Sequence, residues 1–192
     1  MSEPVGLLLA AGSAKRFGSD KLLHRLPHGV PIAIQAARQL ATEVASIVAV
    51  VSPGSGIARE LKDEGCRIVV CEKSSEGMGA SLACAARAAG KAAGYLVALA
   101  DMPFVRRSSI AAVREALEKG APLAAPFFRG RRGHPVGFGP ALYAELILLG
   151  GDEGAKSVLA RHEDELVKIP LGDPGVVRDI DRPEDLMPPL VV

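Results

Sequence analysis

The stretch Leu7–Leu23, LLLAAGSAKRFGSDKLL, carries the residue types needed to hold an anion. An apolar run ends in Leu9-Ala10-Ala11-Gly12, and Lys15, Arg16 and Lys21 follow on a loop. Small side chains let backbone N–H groups approach a ligand closely. Arg16 is suited to gripping phosphate oxygens in pairs, and Lys21 acts as a point charge. The plainer alternative is a solvated loop with ordinary cations. Two familiar phosphate loops do not fit. A P-loop needs G-x-x-x-x-G-K-[ST], whereas five residues separate Gly12 from Gly18 and Ser19-Asp20 follows. The dinucleotide fingerprint G-x-G-x-x-G fails because Ser13 and Ala14 follow Gly12.

The acidic counterpart stands at Asp101, directly after the apolar run Tyr95–Ala100 and before Met102-Pro103. A carboxylate there either caps the turn or holds a magnesium ion, which commonly takes one or two carboxylates together with substrate phosphates. A second acidic cluster follows the apolar Val176-Val177, in the order Asp179-Ile180-Asp181-Arg182-Pro183-Glu184-Asp185. Alternate spacing points Asp179 and Asp181 the same way, so either can complete a metal site; Asp181 equally suits a helix cap before Pro183. The basic segment Arg129-Gly130-Arg131-Arg132-Gly133-His134-Pro135 is either a solvated hairpin or a grip on an anionic substrate through Arg132 and His134.

Short runs rich in β-branched residues must position these groups. They fall at Val5–Ala10, Ile47–Val51, Arg67–Cys71, Tyr95–Ala100, Leu123–Pro126, Leu166–Ile169 and Val176–Asp179. Helical stripes lie between them. Pro31 opens one, with Ile32, Ala36, Leu40 and Val44 on a single face. Ala80–Ala89 carries a second, and Ser108 or Ser109 caps a third that stops at Gly120. A further helix starts near Glu153. Strands alternating with helices predict a three-layer α/β/α fold on a mostly parallel, mixed sheet, with ligands bound beyond the carboxyl ends of the strands. The 192 residues read as one domain, residues 1–192.

With 48 % hydrophobic residues, 23 % charged residues and a formal net charge of +1, the composition gives no ground for nucleic-acid or membrane-surface binding. The first residues lack a basic leader pattern, and no apolar run approaches the ~20 residues of a membrane span. Cys66, Cys71 and Cys84 form an odd set without zinc spacing, which fits buried thiols in a reducing cytoplasm.

Taken in order, the motifs resemble those of the molybdenum cofactor cytidylyltransferases. Leu9-Ala10-Ala11-Gly12…Arg16-Phe17-Gly18…Lys21-Leu22-Leu23 is similar to their signature L-A-A-G-x-S-x-R-M-G-x-x-K-L-L, with Ala14 in place of the serine and Phe17 in place of the methionine. The segments Glu76–Leu82, Ala100–Pro103, Gly133–Val136, Gly151–Ala155 and Asp179–Leu186 follow in the family's order, spanning nearly the whole chain. The resemblance implies a Rossmann-like nucleotidyltransferase fold. It implies that Leu9, Ala10, Ala11, Gly12, Arg16 and Lys21 hold the triphosphate, with Arg16, Lys21 and Asp101 carrying catalysis. Gly77 and Ser81 would lie by the base. Arg132, Gly133, His134, Pro135, Asp152 and Gly154 would meet the pterin, and Mg²⁺ would sit on Asp101 with Asp179 or Asp181.

The implied reaction is transfer of CMP from CTP to the phosphate of molybdopterin, releasing pyrophosphate and leaving a cytosine dinucleotide cofactor. The implied partners are CTP or GTP, the pterin and, transiently, a recipient molybdenum enzyme. A guanylyltransferase on the same acceptor is the nearest alternative. Its loop usually reads G-G-S-R-R-M-G, whereas Ser13 stands at the second glycine here. A sugar-phosphate nucleotidyltransferase matches less well, and a non-catalytic cofactor carrier would bind pterin without releasing pyrophosphate.

Overall fold

In the computed structural model, which describes residues 3–12, 21–152 and 154–187, eight strands form one sheet. Strands β1 (Val5–Ala10), β2 (Ile47–Val51), β3 (Arg67–Val70) and β4 (Tyr95–Leu99) run parallel in the order β3-β2-β1-β4. Beyond β4 the sheet becomes mixed. Strand β7 (Val136–Phe138) pairs antiparallel with both β4 and β5 (Leu123–Phe128), so β5 again runs the way of β1 to β4. The short β6 (Arg131–Arg132) folds back on β5, and β8 (Leu166–Pro170) pairs parallel with it.

Side chains alternating along β1 feed two cores. Leu8 and Ala10 pack with α1 (Ile32–Ala41), α2 (Ala58–Asp63) and α4 (Arg107–Glu118) on one face. Leu7 and Leu9 pack with α3 (Met78–Ala89), α5 (Tyr143–Leu146) and α6 (Lys156–Arg161) on the other. Both faces being covered explains why the central strands read as unbroken apolar runs. The predicted stripe Ile32, Ala36, Leu40 and Val44 is buried throughout, and α4 gives way to Gly120, whose positive φ of 92° suits glycine.

Three local readings need correction. Residues Val176–Asp179 do not form a strand; Pro174–Val177 is a 3-10 turn, because Pro174 and Gly175 set up a tight turn where a ladder would need extended backbone. Neither Ser108 nor Ser109 caps α4. The helix starts at Arg107, and the acceptor is the Asp173 carboxylate, which receives the Arg106 N–H at 2.9 Å and the Ser109 hydroxyl at 2.6 Å. The helix placed near Glu153 begins at Lys156.

Candidate active site

The carboxyl ends of β1, β2, β3 and β4 open onto a pocket of about 860 Å³. Its walls include Leu9, Ala11 and Gly12 after β1, Ser52 after β2 and Glu72 after β3, with Leu99 and Asp101 at the end of β4. The Ser52 hydroxyl donates to the Ala11 carbonyl at 3.0 Å, tying the first loop to its neighbour. The amino end of α3 faces the same space through Gly77, Met78 and Ser81, a position where the helix dipole favours electron-rich groups.

Lys21 lies at the centre of the charged groups. Its ammonium donates to Asp101 Oδ2 at 2.9 Å and to Asp181 Oδ1 at 3.3 Å. The Lys21 side chain is 13 % exposed and that of Asp181 49 %. Partial burial works against the charge on Lys21, but the carboxylates of Asp101 and Asp181 outweigh it and hold the pKa above its ordinary value. Oxygen atoms of Asp101, Asp179 and Asp181 lie within 4.8 Å of one another. Three hard oxygen donors drawn this close suit a divalent metal of the magnesium or manganese type.

Backbone packing creates this convergence. The segment from Asp173 to Asp181 is threaded past Phe104 and the β6–β7 connection. A Cβ on Gly175 would overlap the Phe104 carbonyl, and one on Gly133 would overlap that of Val176. The His134 N–H donates to the Val176 carbonyl at 2.7 Å, and the Ile180 N–H donates to the Asp101 backbone carbonyl at 2.9 Å. That last bond aligns the two acidic segments, so Asp179 and Asp181 flank Asp101 without belonging to a strand. Asp173, 5 % exposed, fastens the start of the segment by accepting from Arg106, Ser109 and Gly175.

A second close fit joins two of the sequence motifs. Gly77, at φ 127°, has no room for a Cβ, which would lie 2.5 Å from Asp152 Cα. The Gly79 N–H donates to Gly151 at 2.9 Å, and a Cβ on Gly79 would overlap the Gly150 carbonyl. The Gly77–Leu82 and Gly151–Ala155 segments are therefore packed backbone to backbone, and Asp152 reaches the pocket wall as a result.

The expected site residues thus divide. Leu9, Ala11, Gly12, Lys21, Gly77, Ser81, Asp101, Asp152 and Asp181 line the pocket, and Asp179 joins the carboxylate cluster. Ala10 is buried in the core at the end of β1, and Gly154 packs against Met78. Arg132 is exposed on β6. His134 and Pro135 border a small inner cavity with Gln39, Leu99 and Met102. Burial pushes the His134 pKa below its ordinary value, with the Val97 carbonyl opposing and the Arg132 charge reinforcing the shift. The imidazole is accordingly neutral at pH 7. Lys15, Arg16, Phe17 and Gly18 lie outside the described residues. Asp173, Gly175 and Ser52 escaped sequence reading, for their roles depend on contacts with distant backbone.

With this geometry in place, residues 6–166 match the MobA-like NTP transferase domain family. The chain belongs to this family. It is a nucleotidyltransferase by that membership. No curated protein matches the chain. The fold is similar to that of a nucleotidyl transferase, Mth528, from Methanothermobacter thermautotroptrophicus, at 22 % identity and a TM-score of 0.79, covering 96 % of this chain and 94 % of that one. It is also similar to Rv0371c from Mycobacterium tuberculosis H37Rv in complex with manganese, at 21 % identity and TM-score 0.74, with 96 % of each chain covered. A third similar structure is molybdopterin-guanine dinucleotide biosynthesis protein A from Archaeoglobus fulgidus, at 18 % identity and TM-score 0.67, covering 95 % and 94 %. At such identities the likeness speaks for the fold.

Proposed function

We propose that the chain transfers CMP from CTP to the terminal phosphate of molybdopterin, with Mg²⁺-dependent release of pyrophosphate. The observation that carries this reading is the Lys21 ammonium held between Asp101 and Asp181 at the mouth of the Leu9–Gly12 loop. A cation and a carboxylate set share one pocket wall, as a triphosphate with its metal requires. The manganese in the Rv0371c complex agrees with a divalent ion on this fold.

The acceptor phosphate, with a second pKa near 6, is largely dianionic at pH 7 and needs no protein base. One of its oxygens forms a bond to the α-phosphorus of CTP as the bond to the β-phosphate breaks, and the electron pair leaves with pyrophosphate. Asp101, Asp179 and Asp181 would hold the metal, which supplies charge neutralisation across the phosphates when bound. Lys21 neutralises the phosphate chain, together with Arg16. The backbone at Ala11 and Gly12 sets the depth at which the phosphates rest. Gly77 and Ser81 border the base, while Asp152 and Gly154 border the acceptor with Arg132 and Gly133. His134, neutral and inward-facing, orients this region as a hydrogen-bonding group and carries no proton in the reaction.

The choice of CTP rests on Gly77-Met78-Gly79-Ala80-Ser81-Leu82 and on Ser13, both closer to the cytidylyl group. The similarity to the guanine-dinucleotide protein keeps GTP as the second reading. Pyrophosphate release with molybdopterin, compared across CTP, GTP, ATP and UTP, separates them. A preference for GTP overturns the cytidylyl reading, and release with none of the four overturns the acceptor.

A further inference from the structure

We infer that Lys21 and the divalent metal compete for the same carboxylates, so that Lys21 plugs the metal site until a nucleotide draws it away. The inference rests on reading Asp101, Asp179 and Asp181 as the metal-holding set. Three carboxylates whose oxygens lie within 4.8 Å require counter-charge. Lys21 supplies it, at 2.9 Å from Asp101 and 3.3 Å from Asp181. A small dication bound about 2.1 Å from those oxygens would face the ammonium at short range, and the two positive charges repel.

Lys21 has somewhere to go. Its four-carbon stem is flexible, and the side chain borders the same open pocket as Gly12 and Ser52. A phosphate entering against Ala11 and Gly12 offers the ammonium a new anionic partner. Lys21 would then pass from carboxylate to phosphate as the metal takes its former position, so that Asp101 and Asp181 keep a cation beside them in both states. Metal and nucleotide thereby become coupled ligands, each raising the affinity for the other. Metal alone meets a site already neutralised in part. The device would keep free divalent ions from filling the carboxylates in a geometry without substrate.

The test is Mn²⁺ binding without nucleotide, followed by the electron paramagnetic resonance of the free ion. Lys21→Met should bind Mn²⁺ about tenfold more tightly than the wild-type protein, the scale of two part-buried ion pairs removed together. In wild-type protein, saturating Mn²⁺ should also raise acetylation of the Lys21 amine by acetic anhydride several-fold, read by peptide mass spectrometry against exposed Lys62. Equal Mn²⁺ affinities overturn the exchange and leave the metal site standing. Tighter binding without increased acetylation also overturns it, since charge relief alone would then suffice. If neither protein binds Mn²⁺, the metal reading and the exchange fall together.

Discussion

Replacing Asp173 by alanine should unfold this protein more readily than any single change in the pocket. The carboxylate is 5 % exposed; two of its hydrogen bonds tie it to the start of α4 and a third shapes its own turn. Its Oδ2 accepts from the Arg106 N–H at 2.9 Å and the Ser109 hydroxyl at 2.6 Å, and its Oδ1 accepts from the Gly175 N–H at 2.9 Å. Arg106 Nε stands 3.7 Å away as a partial counter-charge. A hydrogen bond to a charged group contributes roughly 1.5–3 kcal/mol. Burying the carboxylate offsets part of the gain, so Asp173→Ala should cost about 3–5 kcal/mol. That is a large share of the 5–15 kcal/mol typical of whole domains. Asp173→Asn keeps one acceptor oxygen and should cost about half as much by the same count. Equilibrium urea unfolding at pH 7.5, followed by circular dichroism, measures both. Because Asp173 fastens the segment bearing Asp179 and Asp181, folded Asp173→Asn should also bind Mn²⁺ more weakly than wild type. A loss below about 1 kcal/mol for Asp173→Ala would refute the clamp, since that is the scale of one ordinary hydrogen bond.

Asp101→Asn and Lys21→Met should each lower turnover by about 10²–10³ while leaving the far-ultraviolet circular dichroism unchanged; near-wild-type rates would remove them from the chemistry. Gly79→Ala places a better helix former in the first turn of α3, yet its Cβ would overlap the Gly150 carbonyl. Overpacking should win, lowering the melting temperature by about 4 °C for a net cost near 1–2 kcal/mol; a rise would show that the Gly150–Asp152 backbone yields freely. His134 should make the fold acid-sensitive. Its folded pKa is depressed by burial, so the unfolded chain takes up a proton near pH 6.5 that the folded one refuses. Stability then falls as the pH drops below that value, by up to about 1.4 kcal/mol per pH unit. His162 has the opposite sign, because Glu165 and Glu145 raise its pKa; its contribution is full below pH 6.5 and is lost as pH rises through the folded pKa. Comparing His162→Gln with His162→Gln/His134→Gln between pH 7.5 and 5 isolates His134, and parallel stability curves would contradict its part-buried, neutral state.

The central sheet was legible because periodicity and burial agree there. Val5–Ala10 and Ile47–Val51 are observed with the bounds expected, and both are buried on two faces. Helix α1 was equally plain, with Pro31 before it and an apolar stripe along one side. Strand β7 was missed, since Val136-Gly137-Phe138 is too short to show a period and forms by pairing with β4 and β5. Helix α2 was missed for a similar reason: in Ala58–Asp63 only Leu61 is buried.

Within the candidate site, Lys21 and Asp101 could be read from their places after apolar runs, and the structure joins them in one ion pair. The alternate spacing of Asp179 and Asp181 presumes an extended strand, whereas the chain forms a 3-10 turn before them. They converge instead because the Ile180 N–H reaches Asp101 and Asp173 anchors the preceding turn. The backbone contacts of Gly79 with Gly151, and of Gly175 with Phe104, join residues far apart in sequence. Pattern along the chain cannot report them, because the signal is the absence of a side chain at a distant crossing.

The most direct test of nucleotidyl transfer by this pocket is pyrophosphate release from purified protein given molybdopterin, Mg²⁺ and each of the four ribonucleoside triphosphates in turn. Release should be fastest with CTP, require both acceptor and metal, and fall by at least about 10² in Asp101→Asn. Acceptor-dependent release at an undiminished rate in Asp101→Asn would contradict transfer by this pocket.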